Sequence, residues 1–246
     1  MKLPQGLSIT YLGHASFKIG TPGGKVVFID PWLEGNPRCP DAHKKQDRAD
    51  LILITHGHFD HLSADVAPLA RATGATVVAM PEVCAFLSRQ GVERFEQMNK
   101  GGTVHVHGLK VTMTNAFHSS GAQAEDGSVV YAGDPAGFVL ETEDGFRIYH
   151  AGDTCVFGDM KLIGELYRPQ IAMLPIGDRF TMGPTEAAYA VRLLGVKCVI
   201  PMHYATFPLL TGTPEAFKEA TRDIEGLEIV VMEPGPVSYT HLRAHE

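Results

Sequence analysis

The chain has 246 residues, with 21 Lys or Arg and 28 Asp or Glu, so its formal net charge is -7 at pH 7. This length is enough to bury a large core, in one domain or in two small ones. An acidic chain without a basic patch binds nucleic acid and anionic membranes poorly, so we expect neither as a partner. A small-molecule substrate is favoured, and a homo-oligomer is compatible with the sequence. Because no stretch is long and apolar enough for a membrane span or a secretion signal, we expect a cytoplasmic protein.

The first half of the chain begins with short strand patterns and continues with mixed strand and helix patterns. A hairpin is predicted over residues 7–30, with its turn at the sequence Thr-Pro-Gly-Gly. Further strands are predicted over residues 51–55, 76–80 and 111–117, and a helix is predicted over residues 65–73.

The second half repeats this order. The segments VVYAG, FVLET and FRIYHAGD are typical of another meander. The segments IAMLPIG, CVIPMHY and LEIVVME then alternate with helix patterns around residues 185–195 and 214–222. A meander followed by β/α units, twice over, predicts an α/β (α+β) fold with two sheets face to face and helices outside. This is a four-layer αββα sandwich, which we expect as one domain over residues 1–237.

The last nine residues, SYTHLRAHE (238–246), are polar and follow a Pro-Gly-Pro break. They continue no pattern found earlier, so we interpret them as a foreign or disordered tail, with a native tail as the alternative. His241 and His245 are therefore left out of the predicted site.

Cysteine and histidine usage points to metal chemistry rather than disulfides. The 4 cysteines lie far apart and form no C-x-x-C pair, which argues against a disulfide framework and a structural zinc site. The 12 histidines include several that cluster with acidic residues. Metal binding is thus the first function to test.

The segment LILITHGHFDHLS carries four metal-binding side chains within six positions. His56 and His58 are two residues apart, so in an extended chain they point the same way, with Cα atoms roughly 6.6 Å apart, and can share one ion. Asp60 and His61 follow a turn and can address a second ion about 3.5–4 Å away. We expect Gly57 to let the backbone pass close to the ions. A polar loop that is rich in histidine without function is the alternative.

Three further candidate ligands each lie where an apolar strand pattern ends, namely His118, Asp153 and His203. Strand ends that meet in one crevice are where α/β sheets place their sites, although each residue alone is more typical of a core or a loop. The set predicts two divalent transition-metal ions, with Zn²⁺ favoured and Mn²⁺ or Ni²⁺ as alternatives. We assign Asp153 as the bridge between the ions. The other predicted ligands are His56, His58 and His118 for the first ion, and Asp60, His61 and His203 for the second.

The motif T-H-x-H-x-D-H, followed by separate His, Asp and His residues, resembles the metallo-β-lactamase superfamily. The segments YLGHASF, IDPW, THGHFDH, HAGDTCVFGDMKLIGE, PIGDRFTMGP and MHYATFP are similar to a bacterial and archaeal branch of metal-dependent hydrolases related to ascorbate-phosphate lactonase. The resemblance covers about residues 7–237 and is specific for the fold and the metal site, but not for the substrate. It implies the αββα fold that the strand and helix patterns predict independently.

The resemblance also implies a role for Asp30, in FIDPW, because the superfamily's acidic residue at this position hydrogen-bonds the histidine loop without binding metal. An Asp that starts a turn before Pro is the alternative. His14, in GHASF, is predicted to line the cleft or orient a ligand, with a structural hydrogen bond as the alternative. His150 is expected in the core rather than at the site.

Arg179 lies in a loop, Gly-Asp-Arg-Phe-Thr-Met-Gly-Pro, between a predicted strand and a predicted helix. This cation near the crevice is suited to hold a substrate carboxylate or phosphate. A surface ion pair with Asp178 is the alternative.

These residues predict hydrolysis by a metal-bound hydroxide, because the ions lower the pKa of bound water to about 7 and polarise the scissile bond. Asp60 is placed to accept a proton from the attacking water or return it to the leaving group. The favoured substrate is a small ester or lactone, partly from the resemblance and partly because the chain lacks a basic arm for RNA. The alternatives are a phosphodiesterase or nuclease on the same fold, a redox protein and a non-catalytic metal binder. The candidate catalytic residues are Asp60, His203, Asp30, His14 and Arg179.

Overall fold

A computed structural model describes residues 1–124 and 126–238 of the chain. The elements of the first half are β1 (Ser8–Tyr11), β2 (Phe17–Gly20), β3 (Val26–Ile29), α1 (Asp41–Lys44), β4 (Leu51–Leu53), α2 (Val66–Thr73), β5 (Thr76–Ala79), α3 (Pro81–Ser88), β6 (Phe95–Gln97), β7 (Thr103–Val106) and β8 (Leu109–Asn115). Those of the second half are β9 (Gly121–Gln123), β10 (Val129–Tyr131), β11 (Ala136–Glu141), β12 (Arg147–His150), α4 (Met160–Tyr167), β13 (Ile171–Pro175), α5 (Pro184–Leu194), β14 (Cys198–Met202), α6 (Pro214–Ala220), β15 (Glu228–Ile229) and β16 (Val237–Ser238).

Two seven-stranded sheets form the centre of the fold. Their strand orders are β16-β1-β2-β3-β4-β5-β6 and β15-β14-β13-β12-β11-β8-β7, and β9 and β10 form a separate two-stranded sheet. In the first sheet β16, β1, β2 and β3 pair antiparallel, and β3 to β6 pair parallel. In the second, β7, β8, β11 and β12 pair antiparallel, and β12 to β15 pair parallel. The predicted order of a meander followed by β/α units is therefore present in both halves.

Side-chain alternation along the strands shows how the layers pack. In β11, Phe138 belongs to a core shared with strands of the other sheet, whereas its neighbour Val139 belongs to a second core. That second core contains residues of α4, α5 and α6, so these helices cover the outer face of the second sheet. Buried residues of α2 and α3 pack with the first sheet. Because successive strand residues face opposite sides, this arrangement confirms the four-layer αββα sandwich. Among the described helices, none has the length and apolar content needed to cross a membrane.

The C-terminal boundary differs by one residue from the expected one. Ser238, which we placed at the start of the tail, pairs with Ile9 at the edge of the first sheet. The fold thus includes Ser238. Residues 239–246, with His241 and His245, lie outside the described residues, and their assignment as a foreign tail stays a prediction.

Removal of residues 239–246 is expected to leave the melting temperature and the metal content unchanged, because it keeps every described contact, including the pairing of Ser238 with Ile9. The measurement is thermal unfolding and elemental analysis of the chain with a stop codon after Ser238. Loss of bound metal in this variant would show that His241 or His245 is a ligand.

Candidate metal centre

The candidate ligands lie at one edge of both sheets, because each follows the carboxyl end of a strand. His56 comes three residues after β4, and His118 comes three residues after β8. Asp153 and His203 follow β12 and β14 in the same way. The fold thereby brings residues that are far apart in sequence into one crevice, as the strand-end argument predicted.

The first predicted ligand group is His56, His58 and His118, whose candidate ligand atoms all lie within 4.8 Å of one another. The Nδ1 atom of His58 is 2.9 Å from Nε2 of His56 and 3.2 Å from Nε2 of His118. His56 is fully buried, whereas His58 and His118 are partly accessible from solvent. The three nitrogens therefore face a common point that is open on one side.

The second predicted group, Asp60, His61 and His203, also converges within 4.8 Å, and His14 joins it. All four side chains are buried. The sequence predicted three of these residues as ligands, and His14 as a residue that lines the cleft or orients a ligand.

Asp153 lies between the two groups. Its Oδ2 atom is 3.0 Å from Nε2 of His203 and 3.3 Å from Nε2 of His61, which belong to the second group. The same oxygen is 3.6 Å from Nε2 of His118 and 3.9 Å from Nε2 of His56, which belong to the first. A carboxylate in this position is placed to contact ions in both groups.

The donor set fits a divalent metal. Nε2 of His61 and Oδ1 of Asp153 are buried without a hydrogen-bond partner among the described residues, which is costly unless a cation satisfies them. Ligand bonds of about 2.0–2.1 Å in a tetrahedron place neighbouring ligand atoms about 3.3–3.4 Å apart. The separations of 2.9–3.9 Å around His58 and Asp153 are close to this value.

Burial and neighbouring charge prepare the side chains for a cation. Burial lowers the pKa of His56 well below its usual value, with the neighbouring His61 adding to the effect, so this imidazole is neutral. Burial opposes the ionisation of Asp153, but His203 and His61 outweigh it and hold its pKa well below the usual range. Burial likewise opposes the protonation of His61, yet the carboxylates of Asp153 and Asp30 raise its pKa well above the usual value. Positive charge is therefore favoured between His61 and Asp153, where a metal ion would replace the proton.

Asp30 forms hydrogen bonds with the histidine loop, as the resemblance implied. Its Oδ1 accepts a hydrogen bond from the Thr55 amide at 2.8 Å, and its Oδ2 accepts from the Thr55 hydroxyl at 2.6 Å. Oδ2 also lies 2.7 Å from Nδ1 of His61, which leaves Nε2 of that ring directed at Asp153. Asp30 is completely buried and is not in any of the candidate ligand groups. This carboxylate fixes the orientation of His61.

His14 orients Asp60. Burial, together with the nearby His203, lowers the pKa of His14 to about 4, so the ring is neutral near pH 7. Since the ionised Asp60 can only accept, we assign the proton to Nε2 of His14, which donates to Oδ2 of Asp60 at 2.9 Å. Nδ1 then accepts from the hydroxyl of Thr206 at 3.0 Å. Both ring nitrogens are thus engaged, which suits a positioning role rather than metal binding.

Backbone strain is concentrated at the same place. His14 and His203 have φ values of 60° and 56°, in the left-handed region that residues other than glycine rarely adopt. The amide of His203 donates to the carbonyl of His14 at 2.7 Å, and the Tyr11 hydroxyl donates to the same carbonyl at 2.9 Å. These bonds tie the loop between β1 and β2 to the residue after β14, so that two distant segments share one rigid contact.

Two residues near the candidate ligands, Gly57 and His150, have roles in packing. A Cβ at Gly57 would lie 2.5 Å from Cβ of Ala132 and 3.1 Å from the amide nitrogen of Ala122, so the packing of these residues requires a glycine there. His150 is a core residue, as expected, yet it also supports the site. Its Nδ1 accepts from the amide of Gly152 at 3.1 Å, and its Nε2 donates to the carbonyl of Ala15 at 3.0 Å. The residue therefore ties the loop before Asp153 to the loop that carries His14.

Arg179 lines the same cavity as the candidate ligands and is exposed. Among the described residues it forms no ion pair, so the alternative of a surface ion pair with Asp178 does not hold. The carboxylate of Asp178 instead accepts from the amide of Arg179 at 2.7 Å and from the hydroxyl of Thr211 at 3.3 Å.

Comparisons with known proteins identify relatives of this chain. The family model described as "Beta-lactamase superfamily domain" matches residues 25–204. A UPF0173 metal-dependent hydrolase of Rubrobacter xylanophilus is 59% identical over 231 residues, covering 94% of this chain and 95% of the relative. One of Methanopyrus kandleri is 49% identical over 230 residues, covering 93% and 98%. Among solved structures, Igni18, a metallo hydrolase from the archaeon Ignicoccus hospitalis, matches with a TM-score of 0.81 and 36% identity, covering 94% of this chain and 97% of that chain.

A family model that spans most of the chain, together with relatives of high identity over nearly full length, confirms the resemblance found in the sequence motifs. The chain belongs to the metallo-β-lactamase superfamily and, within it, to the UPF0173 metal-dependent hydrolases.

Proposed function

We propose that this metal-dependent hydrolase holds two divalent transition-metal ions and cleaves a small ester or lactone. The observation that carries the proposal is the position of Asp153 Oδ2, which lies within 3.9 Å of imidazole nitrogens from both ligand groups. The first ion would be held by His56, His58 and His118, and the second by Asp60, His61 and His203. Zn²⁺ suits these nitrogen and carboxylate ligands, and Mn²⁺ or Ni²⁺ are the alternatives.

Bound divalent ions supply Lewis acidity towards a carbonyl oxygen and lower the pKa of water to about 7. Side chains of the protein transfer the proton and orient the group that carries it. Burial opposes the ionisation of Asp60, but the hydrogen bond from His14 and the nearby His61 outweigh it and hold its pKa below the usual range, so its carboxylate is ionised. His14 keeps that carboxylate in one orientation through its contact with Oδ2. Asp60 is therefore the group that we propose to move a proton between water and the leaving group.

The ester or lactone assignment is supported by the charge of the chain and by the size of the cavity. The net charge of -7 does not favour a polyanionic substrate such as RNA. The cavity above the ligands has a volume of about 580 Å³, within the range of about 300–1,000 Å³ that is typical of small-molecule sites.

The test is removal and restoration of metal. Dialysis against a chelator is expected to abolish hydrolysis of esters and lactones, and Zn²⁺, Mn²⁺ or Ni²⁺ should restore it. Because metal at a hundredfold excess over its Kd stabilises the folded state by about 2.7 kcal/mol, the melting temperature should fall by about 5–10 °C on chelation. Activity and melting temperature that do not respond to chelator would contradict the metal dependence. Turnover of phosphodiesters, with esters and lactones untouched, would replace the proposed substrate class by a phosphodiesterase.

A further inference from the structure

The cavity next to the candidate ligands is lined by polar side chains on one part of its surface and by aromatic rings on another. Its floor includes Asp153 and His203, and its walls include the rings of Phe59, Phe180 and Phe207. A larger cavity of about 900 Å³ shares Phe59 but contains none of the predicted ligands. We therefore take the cavity of about 580 Å³ as the place where the substrate body lies.

Two of the three phenylalanine rings are exposed, and a buried tryptophan packs against two of the three. Phe59 and Phe180 are 56% and 50% exposed, although rings of this size are usually buried. Trp32, only 5% exposed, packs edge to face against Phe59 at 5.7 Å and lies 5.9 Å from the ring of Phe207. Accessible aromatic rings beside the candidate metal centre are typical of a site that buries an apolar ligand.

Arg179 is the one Lys or Arg side chain among the described residues that line this cavity. Its guanidinium lies 5.8 Å from the centre of the Phe180 ring, and no carboxylate among the described residues pairs with it. Asp178 and Arg179 have φ values of 65° and 58°, so two successive residues adopt a strained conformation. The loop keeps this conformation because the amide of Asp178 donates to the carbonyl of Met182 at 3.0 Å, and Asp178 accepts from the amide of Arg179. This loop conformation places the guanidinium of Arg179, which forms no ion pair among the described residues, at the cavity.

We infer that the substrate combines an apolar, ring-sized body with an anionic group, and that Arg179 binds the anion while the phenylalanine rings bury the body. This inference rests on the hydrolytic function proposed above. A guanidinium forms two parallel hydrogen bonds to a carboxylate or a phosphate, so either group satisfies the charge. Arg179 is then the residue that determines specificity, and it has no role in bond cleavage.

The kinetic test compares matched esters. Phenyl acetate is neutral, 4-acetoxybenzoate adds a carboxylate and 4-acetoxyphenyl phosphate adds a phosphate. The metal-loaded protein is expected to hydrolyse one or both anionic esters with a kcat/KM about tenfold or more above that of phenyl acetate, mainly through KM. In Arg179→Gln this ratio should fall to about one, and Arg179→Lys should keep part of it. Arg89→Gln, an exposed arginine of the larger cavity, is the matched control and should keep the ratio.

A binding test works without turnover, because Trp32 is the single tryptophan of the chain and contacts two walls of the cavity. Its fluorescence is expected to respond to 3-phenylpropionate at lower concentration than to 3-phenyl-1-propanol or propionate. The Kd for 3-phenylpropionate should rise about tenfold in Arg179→Gln and not in Arg89→Gln.

The two tests separate this inference from the proposed function. If no ester, lactone or phosphodiester is hydrolysed, the proposed function fails, and the fluorescence titration alone decides the inference. If esters are hydrolysed but the wild type shows no preference for the anionic ones, and the Kd for 3-phenylpropionate is the same in Arg179→Gln, the inference is overturned while hydrolysis stands.

Discussion

Asp153→Asn is expected to lower the metal content from two ions per chain towards one and to reduce hydrolysis by at least about a hundredfold. The change preserves the size of the side chain but removes its charge and one of its two equivalent oxygens. Two divalent ions about 3.5–4 Å apart would repel each other, and an anionic carboxylate between them would offset part of that repulsion. The four imidazole nitrogens within 3.9 Å of Asp153 Oδ2 show how central this oxygen is.

The matched control is Asp159→Asn, the same chemical change at an exposed residue just before α4. It should keep both ions and normal turnover. Elemental analysis and steady-state kinetics of the two variants provide the comparison. Full metal content and near-normal turnover in Asp153→Asn would remove the bridge from the site and with it the two-ion mechanism.

Asp30→Asn is expected to weaken both the fold and the metal centre, even though Asp30 is not a predicted ligand. An asparagine tolerates the φ of 47° at this position, so the variant isolates the loss of the carboxylate from any backbone effect. The amide nitrogen that replaces Oδ2 cannot accept the hydrogen bonds that this oxygen receives from Thr55 and His61. Loss of one partner from a buried, charged network costs about 3 kcal/mol or more, which lowers the melting temperature by about 6–12 °C. Metal affinity should fall about 10–100-fold because His61 loses its orientation.

Asp50→Asn provides the control for this variant, because Asp50 is partly buried and accepts a hydrogen bond from the amide of Val26 at 2.8 Å. It should cost less stability and leave the metal affinity unchanged. Differential scanning calorimetry with and without metal measures both effects. A metal affinity equal to that of the wild type in Asp30→Asn would show that this carboxylate does not orient His61.

The part of the site that could be predicted from the sequence is the part that local geometry determines. His56 and His58 are neighbours along the chain, and His118, Asp153 and His203 each mark a strand end, so a strand pattern is enough to place them together. The duplicated order of meander and β/α units likewise determined the layer arrangement. Two eight-residue helices, α3 and α4, were not predicted, although α2 has the same length and was.

Contacts between distant segments could not be predicted in this way. The bond between His14 and Thr206 joins residues 192 positions apart, and the bond between His150 and Ala15 joins residues 135 apart. The close approach of Gly57 to Ala132 is a further contact that the sequence did not indicate. In each case the cause is packing between segments that leave no periodic pattern in the sequence. The pairing of Ser238 with Ile9 is of the same kind.

The central claim is that Asp153 joins two metal ions in one centre. The most direct measurement is a crystal structure of the metal-loaded protein with anomalous scattering recorded on both sides of the zinc, manganese and nickel absorption edges. We expect two anomalous peaks about 3.5–4 Å apart, one bound by His56, His58 and His118 and the other by Asp60, His61 and His203, with Asp153 touching both. A single fully occupied peak, or two peaks of which only one contacts Asp153, would contradict the account.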